Sequence, residues 1–284
     1  MSVDTSSHTK PFLKWAGGKN WLMPIIKKYT PSKFRKYYEP FLGSGSIFFA
    51  LRPKPAVLSD LNQNIIQTYI ALRDKPHALI AKLRSMTYNK DYYYFIRDVY
   101  KPRSLAHQAA RIIYLNRTCW NGLYRENIEG KFNVPFGKFH NPCICDENNL
   151  LLASDLLQGA DLYFQDFETT LSTAKKGDFI FLDPPYISSH RNNGFLKYNN
   201  KIFSWADQVR LVKIVRHLDK RGCYILMTNA NHQSVMDLYS GFYFSFESRY
   251  SSIAADKAKR EVISELIISN YLQKGYGSVS RRSL

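Results

Sequence analysis

Short apolar runs recur along the chain, and the spacing between them changes character twice. Near the start, Tyr37-Tyr38-Glu39-Pro40-Phe41 reads as a short strand running into the turn Leu42-Gly43-Ser44-Gly45-Ser46. Ile47-Phe48-Phe49-Ala50-Leu51 follows as a helix, and Ala56-Val57-Leu58-Ser59 as a second buried strand ending in Asp60. Strand, glycine turn, helix, strand and acid make a βαβ unit. From about 63 to 156 the spacing becomes helical, at 65–72, 78–86 and 108–115, with Tyr, Arg and Lys on the helices. The segment 116–141 is rich in Gly, Asn and aromatic residues and has little periodicity.

Strand-like runs then return at 162–164, 179–182, 224–227, 242–246 and 262–269, with helical patterns such as 205–218 between them. This alternation predicts an α/β chain with a Rossmann-like, doubly wound sheet, split by an inserted helical module. The expected division is 1–66 with 157–284 for the sheet domain and 67–156 for the inserted helical domain. Residues 1–9 and 274–284 read as loose tails, and 189–201, rich in Ser, Asn, Gly and Lys, as a mobile loop.

Composition narrows the partners. Of 284 residues, 45% are hydrophobic, too many for a disordered chain, and the length suffices for a large buried core. Forty Lys and Arg against twenty-three Asp and Glu give a formal charge of +17, a field that attracts polyanions, nucleic acid first. No uncharged apolar run approaches the ~20 residues of a membrane span, and residues 1–10 hold no apolar signal core, so no membrane partner is expected. Cys119, Cys143, Cys145 and Cys223 form no disulfide-like framework, which points to a reducing, cytoplasmic compartment. His140, Cys143 and Cys145 match no usual zinc spacing; a loop with two buried thiols and no metal is expected there.

Four segments carry candidate chemistry. Asp183-Pro184-Pro185-Tyr186 follows the buried run 179–182, at the carboxyl end of a strand, where doubly wound sheets place ligands. Two prolines remove two N–H donors and leave carbonyls, so Asp183 and the Pro184 carbonyl offer two acceptors to the two donors of an exocyclic NH2 group. Tyr186 adds a flat face for stacking a base. The bland alternative is a strand followed by a proline turn. Phe41-Leu42-Gly43-Ser44-Gly45-Ser46 lacks the full dinucleotide glycine pattern but permits close approach to the backbone, and Asp60 stands where an acid can hold ribose hydroxyls. An ordinary strand-to-helix turn remains the alternative.

Lys14-Trp15-Ala16-Gly17-Gly18-Lys19 sets a glycine pair between lysines, suited to a ligand pocket or phosphates, or simply to a basic surface turn. Arg117 to Arg125, continuing from Gly130 to Lys138, interleaves Arg, Asn and Lys with aromatic residues. Arg suits guanine, Asn adenine and Lys phosphate, while an aromatic or Leu wedge can enter the stack beside an extruded base. A packed hairpin under the helices is the alternative.

Taken together, KWAGGK at 14–19, EPFLGSGS at 39–46, LSDLN at 58–62, RxxxNGLxR…GxFNVPFG at 117–137 and DPPY at 183–186 resemble the Dam-type (class alpha) DNA adenine-N6 methyltransferases. The motifs stand in that family's order over roughly 11–271. The resemblance implies S-adenosylmethionine as cofactor, held by Trp15, Lys19, Phe41, Gly43, Gly45, Ser46, Asp60, Asp166, Phe167 and Asp183. It implies Asp183, Pro184 and Tyr186 as catalytic residues. It also implies double-stranded GATC-containing DNA as partner, contacted by Lys14, Arg117, Trp120, Asn121, Leu123, Arg125, Asn133, Pro135 and Lys138, with Trp120 in the place of a Tyr wedge.

Two departures are visible. Lys138 stands where relatives often have Arg, and 249–260 lacks the Asn-Gly-type turn of some relatives. The implied enzyme flips its base, needs no metal, acts as a monomer by default and comes from a prokaryote or phage. A cytosine-N4 methyltransferase and a non-catalytic DNA-binding relative stay open as alternatives. A nicotinamide dehydrogenase is disfavoured by the short glycine motif and by the charge.

Overall fold

The computed structural model describes residues 9–15, 19–127, 129–186, 203–250, 262–272 and 280–281. The expected loop at 189–201, the glycine pair Gly17-Gly18, and positions 251–260 of the departure at 249–260 lie outside the described residues. Of the two expected tails, Thr9 is buried and Ser280–Arg281 forms a short strand because it finds a pairing partner in another strand. The remainder of both tails also lies outside.

In chain order the elements are α1 (Met23–Tyr29), β1 (Tyr37–Glu39), α2 (Ser46–Leu51), β2 (Ala56–Asp60), α3 (Gln63–Asp74), α4 (Pro76–Arg84), α5 (Lys90–Tyr94), α6 (Leu105–Thr118) and α7 (Glu147–Leu157). They continue with β3 (Ala160–Phe164), α8 (Phe167–Ser172), β4 (Phe179–Leu182), α9 (Trp205–Arg221), β5 (Tyr224–Ala230), α10 (Gln233–Leu238), β6 (Tyr243–Tyr250), β7 (Val262–Ser269) and β8 (Ser280–Arg281). The class is α/β, as the alternation of runs predicts.

The chain forms two compact units, one of residues 1–27 and 42–165, the other of 28–41 and 166–284. In the first, β2 and β3 pair in parallel, Ala56 opposite Ala160 and Asp60 opposite Phe164. Asn62 caps α3 by accepting from the Ile65 amide at 3.1 Å, which fixes the chain's turn out of β2. The buried side of α3 (Ile65, Ile66, Tyr69, Leu72) packs on this strand pair and on α6 and α7. Because α3 joins them, β2 and β3 group with the helices, so compactness divides the chain elsewhere than at residues 66 and 156.

In the second unit β1, β4 and β5 run parallel, and β7, β6 and β8 extend the sheet antiparallel beyond β5. All four residues of β4, Phe-Ile-Phe-Leu, are buried, as expected of a strand covered on both faces. The helix α9 opens on a capping box between Ser204 and Asp207 and closes on Gly222 at φ 83°, a left-handed position that suits glycine. Among the described residues, no helix is long and apolar enough to cross a membrane.

Candidate active site and nucleic-acid interface

The first unit builds a turn and an acid at the end of β2. Gly43 (φ 48°) and Gly45 (φ 63°) both take left-handed backbone. A Cβ on Gly43 would lie 2.9 Å from the Trp15 indole nitrogen, so glycine is needed for close approach as well as for the dihedral. The Gly43 amide donates to Asp60 Oδ2 at 2.9 Å, and the Asn62 amide donates to Oδ1 at 2.9 Å. Burial raises the pKa of Asp60, and backbone donors from Gly43, Asn62 and Leu61 pull against that rise. The Tyr69 hydroxyl donates to the Gly43 carbonyl at 3.2 Å. Trp15 also stacks on Tyr124, with centroids 5.2 Å apart, and Tyr124 donates to Glu126. Trp15, Gly43 and Asp60 are therefore brought together, with Tyr69 and Tyr124 as partners that sequence reasoning missed. Lys19 is buried, and Gly45 and Ser46 open α2.

The second unit holds the other candidates. Asp183 follows β4 directly, and its Oδ1 accepts a 2.6 Å hydrogen bond from the hydroxyl of Thr228 on β5. Pro184 is buried, and the Tyr186 hydroxyl donates to Glu265 Oε2 on β7 at 3.2 Å. Burial, helped by the nearby charges of Asp183 and Glu265, holds the Tyr186 phenol well above its ordinary pKa, so it stays a neutral donor. Phe41, Phe167 and Phe203 form one aromatic cluster, with centroids 5.4 to 6.1 Å apart. Asp166 caps α8 and pairs with Arg210 at 2.9 Å, and that guanidinium lies 4.4 Å from the Phe167 ring centroid. Thr228, Glu265, Phe203 and Arg210 were not legible as site residues. For the first two the one available signal was a polar residue within a mostly apolar strand.

The segment after α6 folds as a hairpin rather than an unpatterned loop. Cys119 bridges Phe136 and Glu126 bridges Phe132, both antiparallel. From Phe132 to Lys138 burial largely alternates, with Phe132 and Val134 inside and Asn133, Pro135 and Lys138 outside. Prolines and glycines masked that period in the sequence. The helices lock the inner carbonyls. Tyr93 donates to Val134 O at 2.7 Å, Arg97 to the same oxygen at 3.1 Å, and Tyr88 to Gly137 O at 2.6 Å.

Of the expected DNA contacts, Lys14, Trp120, Asn121, Arg125, Asn133, Pro135 and Lys138 are exposed, and Leu123 is half-buried. Trp120, 54% exposed, is unusually open for an indole. Arg125 donates to Asn133 Oδ1 at 2.8 Å, which joins two of the candidates across the hairpin. Arg117 points elsewhere: its Nε donates to the Phe12 carbonyl at 3.0 Å, and burial lowers its pKa. Buried Asn116 holds the Lys14 backbone at both its amide and carbonyl, at 2.7 and 2.8 Å. The expectation of two buried thiols nearby is corrected, since Cys143 is exposed and Cys145 only half-buried, in a stretch without strand or helix to cover them.

Residues 15–254 match the family described as D12 class N6 adenine-specific DNA methyltransferase. The chain is 35% identical over 271 residues to the type II methyltransferase M1.LlaDCHI of Lactococcus lactis subsp. cremoris, covering 92% of this chain and 95% of that one. It is equally 35% identical, over 287 residues, to the type II methyltransferase M.MjaIII of Methanocaldococcus jannaschii, covering 92% and 99%. To the DNA adenine methylase of Escherichia coli (strain K12) it is 28% identical over 263 residues, covering 91% and 94%. An α/β chain with these strand-end motifs is thus a methyltransferase. It belongs to the D12 class N6 adenine-specific DNA methyltransferase family, and it is an adenine-specific DNA methyltransferase.

Proposed function

We propose that the protein transfers a methyl group from S-adenosylmethionine to N6 of adenine in double-stranded GATC, after flipping the base out of the duplex. The observation that carries this reading is Asp183 at the end of β4, its carboxylate held by Thr228 and followed by two prolines. When bound, S-adenosylmethionine would supply an electrophilic methyl group: the bond to N6 would form from the nitrogen's electron pair as the bond to sulfur breaks with its pair staying on sulfur, and one N–H proton would leave N6 to water. The residues of the first unit fit such a group. Asp60 is an acid at a strand end held by the Gly43 amide at one oxygen and the Asn62 amide at the other, and a carboxylate has further lone pairs for ribose hydroxyls. The turn at 43–45 lacks the full dinucleotide pattern, as suits a nucleoside without phosphates.

The adenine amine is a poor nucleophile because its lone pair is delocalised into the ring. Asp183 and the Pro184 carbonyl accept from its two N–H groups and draw the nitrogen towards tetrahedral geometry. Positioning and charge stabilisation of this kind supply most of the rate. Tyr186 stacks on the base, which the duplex buries until it is flipped. Residues 67–156 serve as the DNA-recognition portion, with 1–66 and 157–284 as the catalytic portion. On the exposed side of the 119–138 hairpin, Asn121, Leu123, Arg125, Asn133 and Pro135 read bases, Trp120 is the wedge, and Lys138 meets phosphate. Lys14 approaches a guanine. Arg117 serves that surface indirectly, through the Phe12 carbonyl it holds.

Labelled S-adenosylmethionine with duplexes containing GATC, or GATC altered by one base pair, tests the reading. N6-methyladenine in the GATC duplex alone is the expected product. Equal labelling of the altered duplexes would remove the GATC assignment, and N4-methylcytosine would remove the base assignment.

A further inference from the structure

Strand β5 opens with the apolar run Tyr224-Ile225-Leu226-Met227 and then places Thr228, fully buried. A hydroxyl buried among apolar side chains is costly unless it is hydrogen-bonded. Here it donates to Asp183 Oδ1 at 2.6 Å, the short distance of a hydroxyl on a carboxylate. The strand register makes this contact direct. Leu182 and Met227 are the last paired positions of the parallel strands β4 and β5, and Asp183 and Thr228 each come one residue later. On the other side, β7 pairs Ile267 with Thr228 and Glu265 with Ala230, so Glu265 shares a sheet face with Thr228 two residues along. Buried Glu265 accepts from Tyr186. The two ends of the Asp183–Tyr186 segment are thus tied to one strand pair.

We infer that Thr228 is a positioning residue for Asp183: its hydroxyl holds one carboxylate oxygen and so helps to aim the acceptor lone pairs. The inference rests on the catalytic reading of Asp183 given above. A carboxylate free to turn about its Cβ–Cγ bond would meet the adenine amine in the acceptor geometry only part of the time. Mispositioning of a reacting group by about 1 Å can cost roughly a hundredfold in rate. Since Thr228 is not itself placed against the duplex, its loss should act on the rate of transfer and leave duplex binding unchanged.

The test compares T228V, T228S and D183A in the full-length enzyme. Single-turnover methyl transfer to an adenine-containing duplex is measured alongside Kd for S-adenosylmethionine, Kd for duplex, and thermal midpoint. Val keeps the shape and removes the donor; Ser keeps the donor and removes a methyl. T228V is expected to slow transfer by about tenfold to a hundredfold with Kd for duplex unchanged and transfer still slow at saturating S-adenosylmethionine. T228S is expected to restore most of that rate. Should T228V fail to fold, T228A takes its place, with T228S again as the rescue. Wild-type speed in T228V beside an inactive D183A overturns the role of Thr228 alone, and so does a T228S as slow as T228V. An active D183A overturns instead the catalytic reading on which the inference stands.

Discussion

Asp60 ties the Gly43 turn to the start of α3 with a single carboxylate, and burial raises its pKa. A raised carboxyl takes up its proton while the pH is still above the ordinary value of about 4, so its ionised acceptor is lost earlier than usual on acidification. If it holds the cofactor's ribose, Kd for S-adenosylmethionine should weaken as pH falls towards that range, beginning above it, whereas D60N should bind weakly and show no such limb. Titration calorimetry across the range decides this, and parallel pH profiles for D60N and wild type would contradict it. Asp60 was readable because it ends an apolar run before a helix cap. Thr228 was not, because a polar residue after four apolar ones reads as the end of a strand. The expected strand accordingly stopped at Met227, where the observed one continues to Ala230. Glu265 was hidden in the same way inside Val262–Ser269, since nothing in a sequence says which neighbour satisfies a buried charge.

At the scale of elements, the apolar runs marked out β1 to β7 and the helices α2, α3, α4, α6 and α9, but not α7 or the shorter α1, α5, α8 and α10, and β8 lay in an expected tail. In α5 and the π-helical turn after it, Lys-Asp-Tyr-Tyr-Tyr-Phe-Ile-Arg-Asp-Val offers aromatic residues on every side and so no single apolar stripe. Its tertiary task explains the composition, because Tyr93 and Arg97 both donate to the Val134 carbonyl of the hairpin. Burial pushes the Tyr93 pKa up, so its hydroxyl remains a donor at any working pH. Tyr93→Phe removes that donor from a buried carbonyl and should cost about 1 kcal/mol of stability. It should also loosen discrimination between sites more than it slows transfer. Denaturant unfolding and a one-base-pair substitution series check both parts. On the exposed side, Arg125→Ala should blur base choice and cost about 1–3 kcal/mol of discrimination. Unchanged selectivity in that variant would remove Arg125 from base reading.

For the whole molecule, a formal charge of +17 and membership of an adenine-specific DNA methyltransferase family agree on a polyanionic partner. The order of motifs along the chain carried more of the identification than any one of them, since each glycine turn or proline turn has an ordinary structural explanation. What that order did not convey is the grouping of β2 and β3 with the helices, which depends on long-range packing by α3. In the proposed mechanism Asp183 grips the adenine amine during methyl transfer. The most direct measurement is single-turnover transfer of labelled methyl by D183A, with duplex binding followed by fluorescence anisotropy on the same preparation. The expected result is transfer abolished with duplex affinity retained, while near-normal transfer by D183A would contradict the account.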